Sequence, residues 1–198
     1  MRGVVLTGGI ASGKSTASNE LRKLGFEVVC ADEVAHEVLQ QNAAQVRDLF
    51  GKEVVSGGVI NRAKLGQIVF SDKAQLARLE ALLHPQIKSK ILQISRELEA
   101  KNRLYFVDIP LFFEKNDYDF DKSVLIFCDP KLQLRRLMAR NGFTREEALK
   151  RINAQMPLSQ KARLATFVID NNGDLPHLKT QIQKLVKTLG ENDVCKQI

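Results

Sequence analysis

The chain has 198 residues, 44% of them hydrophobic and 27% charged, with a net charge of +7, an ordinary balance for one soluble domain with a real core and room for a small insertion. No apolar run approaches the roughly 20 residues that a membrane-spanning helix needs, and Met1 to Thr7 leads straight into a glycine-rich stretch, so no signal or transit peptide is expected and a cytoplasmic location follows. Cys30, Cys128 and Cys195 stand far apart with no CxxC pair, which argues for reduced thiols and against a disulfide framework or a cysteine metal site.

Along the chain, a short apolar run over residues 2–6 predicts the first strand. Gly8-Gly9-Ile10-Ala11-Ser12-Gly13-Lys14-Ser15 follows at once and satisfies the spacing GxxxxGK(S/T). Glycines at these positions let several backbone amides turn inward around phosphate oxygens. The helix predicted over residues 15–24 adds its positive N-terminal end. In such a loop Lys14 reaches the β- and γ-phosphates of a nucleoside triphosphate, and the Ser15 hydroxyl ligates Mg²⁺. A glycine-rich turn with no ligand is the bland alternative, and the strand before and helix after this loop speak against it.

A second strand is predicted over residues 26–30, followed by Asp32. Open α/β sheets place ligands at the carboxyl ends of their strands, and phosphoryl transfer to a hydroxyl needs a group that takes or orients the acceptor proton. Asp32 suits that role. It equally suits the N-cap of a helix beginning near Glu33, and the two roles can coexist.

More than 70 residues separate this strand from the next. Leu76, Leu79, Leu82 and Leu83 recur at helical spacing, as do Ile87, Ile91, Ile94 and Leu98. Pro85 suits a first-turn position, so a helix is predicted to start just after His84. Residues 34–100 therefore read as a mostly helical insertion, the place where a kinase commonly houses its acceptor.

The third strand, residues 104–108, ends on Asp108 after four apolar residues, which suits a carboxylate that holds Mg²⁺. The fourth covers residues 123–128. Residues 131–163 then hold nine basic residues against two acids, Glu146 and Glu147, so this stretch carries the whole net charge. It is a solvated helix face, a polyanion-binding patch or a cationic clamp over nucleotide phosphates; the phosphate loop favours the clamp. Leu134, Leu137 and Met138 give one helix its apolar face, Asn141-Gly142 stops it, and Thr144 with Glu147 forms a capping box that starts another. Two basic helices about a short glycine turn read as a lid over residues 140–163. The fifth strand covers residues 166–170. Alternating strands and helices predict an α/β fold with a five-stranded parallel sheet flanked by helices. Its nucleotide-binding core would comprise residues 1–33, 101–139 and 164–198.

With these motifs in order, the chain resembles the dephospho-CoA kinase family over nearly its whole length. The resemblance is carried by Leu6-Thr7-Gly8-Gly9-Ile10 through Gly13-Lys14-Ser15-Thr16, by Ala31-Asp32 and by Leu83-His84-Pro85. Asp108-Ile109-Pro110-Leu111-Phe112-Phe113-Glu114, the helix from Arg135 to Arg140, and Val168-Ile169-Asp170-Asn171-Asn172-Gly173 complete it. It implies the P-loop NTPase fold and transfer of the γ-phosphate of ATP, with Mg²⁺, to the ribose 3′-hydroxyl of dephospho-CoA. By position it gives Asp32 the acceptor hydroxyl, with Lys14 and Arg140 stabilising charge on the transferring group. Gly9, Ala11, Ser12, Gly13, Lys14, Ser15, Thr16 and Arg136 would surround the phosphates, and Asn171 and Gly173 the adenine. Thr7, His84, Pro110, Leu111 and Glu114 would border dephospho-CoA, with Ser15 and Asp108 on the metal.

Some of these positions stay open between two readings. His84 either contacts the acceptor or caps the helix that Pro85 starts; Asn171 to Gly173 is either a nucleotide contact or a turn with Gly173 left-handed. Ala11 stands where the family often has glycine, a slight change in loop flexibility, and Cys30-Ala31-Asp32 stands for a more usual Asp-Ala-Asp. The rival functions are another small-molecule P-loop kinase, for a nucleoside monophosphate or a sugar, and an ATP-gated nucleic-acid binder. The second is disfavoured because Phe143 is the only aromatic residue in the basic stretch, where stacking on single strands wants several. Neither nucleic acid nor a membrane is an expected partner, and the expected state is a monomer or weak homo-oligomer.

Overall fold

A computed structural model describes residues 2–115 and 117–194, without the side chains of residues 191–194. The expectation for Cys195 lies outside the described residues; Cys30 and Cys128 are free thiols. The chain forms two compact units, one of residues 1–29 and 98–198 and the other of residues 30–97.

From the N-terminus, β1 (Gly3–Gly8) leads through the phosphate loop into α1 (Lys14–Lys23) and then β2 (Glu27–Cys30). The second unit follows with α2 (Ala31–Gln41), α3 (Ala43–Phe50), a hairpin of β3 (Val55–Ser56) and β4 (Val59–Ile60), α4 (Arg62–Ser71) and α5 (Lys73–Ala100). The first unit resumes with β5 (Tyr105–Asp108), a short α6 (Phe112–Lys115), β6 (Ser123–Phe127) and α7 (Pro130–Asn141). It ends with α8 (Arg145–Asn153), α9 (Leu158–Leu164), β7 (Phe167–Asp170) and α10 (Leu175–Val194).

The five-stranded sheet has the order β2-β5-β1-β6-β7, with β1 parallel to β5 on one side and to β6 on the other. Every residue of β1 is buried, as a central strand covered on both faces requires, and this is why Val4, Val5 and Leu6 follow one another instead of alternating with polar residues. On one face, Val4, Leu6, Phe106, Val124 and Ile126 pack with Ala17 and Leu21 of α1 and with Leu178, Ile182, Leu185 and Leu189 of α10. Those α10 positions recur every three or four residues, and each buried leucine or isoleucine contributes about 1.5–3 kcal/mol. Elsewhere in this unit, Leu125 and Cys128 pack on Leu158 of α9. The register sets Leu6 beside Asp108 and Phe127 beside Asp170, so the carboxyl ends of β1, β5, β6 and β7 share one edge.

The second unit has its own core, in which Val46, Phe50, Val54, Ile60, Leu65 and Val69 meet Leu76, Leu79 and Leu82 of α5. One expectation changes here. α5 does not begin after His84 but runs unbroken through Pro85. An interior proline removes one helical hydrogen bond and crowds the preceding turn, at a cost of about 3 kcal/mol. The apolar stripe outweighs it: Leu76, Leu79 and Leu82 lie on the core before Pro85, and Leu83 and Ile91 are buried on either side of it. The Gln86 amide also ties that turn, donating to the Leu82 carbonyl at 2.9 Å and to Asn42 Oδ1 at 3.0 Å. Besides its helices, the insertion holds a short hairpin. Gly57 and Gly58, with φ of 58° and 80°, make the two-residue turn of the β3–β4 hairpin.

Candidate active site

The loop between β1 and α1 is held from its outer side. The Gly8 carbonyl accepts from Lys161 Nζ at 2.8 Å, the Ile10 carbonyl from Gln133 Nε2 at 2.8 Å and the Ser12 carbonyl from Asn171 Nδ2 at 2.7 Å. The Ile10 amide donates to Gln155 Oε1 at 2.7 Å, and the Ser12 amide to the Gly9 carbonyl at 3.1 Å. Gly13 has a φ of 99° and a Cβ there would strike Asn171 Nδ2, so two constraints demand glycine. At Gly9 a Cβ would lie 2.8 Å from Gln133 Nε2. Ala11, expected to be a small departure, sits at a φ of 59° in the left-handed region, which costs an alanine about 1–2 kcal/mol.

At the adjoining strand end, Asp108 is buried and both its oxygens are engaged. Oδ1 accepts from Lys14 Nζ and Oδ2 from Ser18 Oγ at 2.6 Å. A buried carboxylate is tolerated when it is paired and hydrogen-bonded in this way. Ser18 escaped the sequence reading, although it stands one helical turn after Lys14, where α1 faces the same carboxylate. Ser15 and Thr16 are exposed in the first turn of α1.

Beyond β5, Thr7 is fully buried and its hydroxyl donates to the Pro110 carbonyl at 3.2 Å. Leu111 is half-buried and its carbonyl accepts from Lys115 as α6 begins. Glu114 Oε1 lies 2.7 Å from Lys161 Nζ and accepts from the Met156 amide at 3.2 Å, while its Oε2 is buried without a partner. Lys161, counted above within a basic clamp, is therefore not a clamp residue. It is wholly buried and neutralised by an acid far away in sequence, a pairing that local charge counting cannot see.

Along α7, Gln133 is buried and the half-buried Arg136, one turn on, donates from Nη1 to the Asn171 carbonyl at 3.0 Å. Arg140 is exposed near the end of the helix, with Nε 2.8 Å from Asn141 Oδ1, and Gly142 caps the helix at a φ of 67°. The expected capping box of Thr144 and Glu147 opens α8. Asn171 is buried, and Asn172 Oδ1 accepts from the Asp129 amide at 2.7 Å. Gly173 is not left-handed as the turn reading required. Glycine is needed there because a Cβ would lie 2.8 Å from His177 Cβ, where α10 starts close by.

In the second unit, Asp32 is exposed and stands second in α2, after the N-cap Cys30. It is therefore not the cap; its carboxylate lies in the first turn, where the helix end favours negative charge. His84 does not cap a helix either. It is exposed in the middle of α5, with Nε2 3.6 Å from Glu80 Oε1. Among the described residues no group of three or more His, Cys, Asp or Glu could hold a metal.

A parallel sheet whose central strand runs through a glycine-rich loop into a helix, with that loop's lysine on the carboxylate of the neighbouring strand, is the architecture of P-loop phosphotransferases. The chain belongs to the dephospho-CoA kinase family, whose profile matches residues 2–177. It is 44% identical over 186 residues to the dephospho-CoA kinase of Sulfurimonas denitrificans, which spans 94% of this chain and 93% of that relative. The dephospho-CoA kinase of Wolinella succinogenes is 44% identical over 188 residues, 94% of each chain. Among solved structures, dephospho-CoA kinase from Campylobacter jejuni matches with a TM-score of 0.79 and 30% identity, over 97% of this chain and 98% of that one.

Proposed function

We infer that this chain transfers the γ-phosphoryl group of ATP to the ribose 3′-hydroxyl of dephospho-CoA, giving coenzyme A and ADP. The observation that carries this reading is the pairing of Lys14 with Asp108 beside the phosphate loop, in a member of this family. The 3′-oxygen forms a bond to the γ-phosphorus while the bond from that phosphorus to the ADP oxygen breaks. Asp32 takes the hydroxyl proton.

The remaining residues align the groups and offset charge, which is most of what phosphoryl transfer requires. Gly9 to Thr16 hold the phosphates, and Lys14 and Arg140 stabilise charge on the transferring group. Asn171 and Gly173 lie against the adenine, while Thr7, His84, Pro110, Leu111 and Glu114 border the acceptor. Mg²⁺ suits the Ser15 hydroxyl and the Asp108 carboxylate, because it takes few protein oxygens and completes its shell with phosphates and water. When bound it neutralises charge on the β- and γ-phosphates.

In this reading residues 34–100 receive dephospho-CoA, and within residues 140–163 the exposed α8 part is a lid that excludes water, which would otherwise take the phosphoryl group, while Leu158 and Lys161 anchor α9 in the core. The enzyme acts in the cytoplasm as a monomer or weak homo-oligomer. Mass spectrometry of the product formed from MgATP and dephospho-CoA tests the reading. Coenzyme A is expected; faster turnover of a nucleoside monophosphate or a sugar overturns it.

A further inference from the structure

Among the described residues Lys161 is the only buried lysine. Its ammonium meets three oxygens, Glu114 Oε1 at 2.7 Å, the Gly8 carbonyl at 2.8 Å and the Pro110 carbonyl at 3.5 Å. Three is the full donor capacity of an ammonium. Packed apolar side chains of similar volume often stabilise a core as well as a buried ion pair does. What this pair supplies beyond packing is a charged donor fixed on two carbonyls at the ends of β1 and β5.

The Gly8 carbonyl lies where β1 passes into the phosphate loop, and Lys161 has counterparts further along. Gln133 holds the Ile10 carbonyl and Asn171 the Ser12 carbonyl. Within a planar trans peptide the N–H points opposite to the C=O. Fixing the Ile10 and Ser12 carbonyls outward therefore turns the Ala11 and Gly13 amides the other way, as an anion-binding nest requires. The loop is short, so its exit direction at Gly8 constrains both of those peptides.

We propose that Lys161 is a positioning residue for the phosphate loop: held by Glu114, it fixes the Gly8 and Pro110 carbonyls and keeps the loop in its anion-binding form. Gln133 and Asn171 complete the same outer frame. The proposal rests on the reading of residues 8–15 as a phosphate loop and not on the identity of the acceptor.

The test compares the wild-type protein with Glu114→Gln/Lys161→Met in the full chain. The double change removes the ammonium without leaving a buried charge unpaired. Calorimetry with ATP, tripolyphosphate and adenosine reads the loop directly. From wild type to double variant, affinity for ATP and tripolyphosphate is expected to fall at least about tenfold, the size of one charge-assisted hydrogen bond. Adenosine affinity should change less than about twofold, because a nucleoside does not use the loop. Equal losses for all three, or unchanged ATP affinity in a folded double variant, would overturn the proposal. Should the double variant not fold, Gln133→Met removes a loop donor without touching a charge. It should show the same phosphate-dependent loss, and an unchanged affinity there overturns the frame. ATP binding by the wild-type protein, measured in the same series, tests the phosphate-loop reading separately.

Discussion

Lys14 donates to one oxygen of Asp108 while Ser18 occupies the other, so a single lysine serves a carboxylate and stands in the loop that binds phosphate. On the proposed function, triphosphate and Asp108 compete for the same ammonium. Asp108→Asn should leave ATP affinity in the presence of a chelator unchanged or raised by up to about tenfold, since the competing charge is gone. Turnover with Mg²⁺ should nevertheless fall at least about a hundredfold. Loss of ATP binding in chelator would show that Asp108 supports Lys14 rather than competing for it.

Asp32 is exposed in the first turn of α2, so its replacement should not disturb the fold. Asp32→Asn is expected to lower kcat at least about a hundredfold, within the range of general-base catalysis, with ATP affinity and melting temperature nearly unchanged. Near wild-type turnover would remove Asp32 as the proton acceptor.

Ala11 offers a gain in stability. Glycine relieves about 1–2 kcal/mol of left-handed strain at this φ of 59°. It also gives back about 0.4–1 kcal/mol through the freer unfolded chain. Ala11→Gly should therefore stabilise by roughly 0–1.5 kcal/mol in urea unfolding. A clear destabilisation would mean that the alanine methyl makes a contact worth more than the strain.

Glu147 gives a pH signature. The Thr144 backbone N–H, and after it the Thr144 hydroxyl, hold its carboxyl below the ordinary range. A carboxyl lowered in the folded state contributes stability that is present above its unfolded value and lost as pH falls through the folded one. The stability difference between wild type and Glu147→Gln, followed by chemical unfolding, should shrink below about pH 4. A difference constant down to strong acid would deny the capping carboxylate its role.

The five strands of the parallel sheet were legible to within a residue or two because a parallel sheet needs contiguous apolar runs, and such runs stand out between turns. The phosphate loop, the Gly142 stop and the Thr144 capping box are local patterns, complete within a few residues. What stayed hidden depends on partners distant in sequence. Lys161 looked like part of a basic run because Glu114 is not its neighbour along the chain, and Gln133 looked like any polar helix residue. Pro85 misled because a local rule for helix starts gave way to a hydrophobic stripe that continues across it. The Gly57-Gly58 turn is local too, but the strands it joins are only two residues long and show no alternation of their own.

The position of β1 also has a consequence for how the molecule is made. Its six buried residues leave the ribosome well before its partners β5 and β6, which begin at Tyr105 and Ser123, and Asn171, which holds the Ser12 carbonyl, comes later still. Non-local pairing is slow, and an apolar strand with both edges open invites association with other chains. During synthesis this segment therefore waits for partners made much later, and the loop that follows it is completed only once Asn171 has been added.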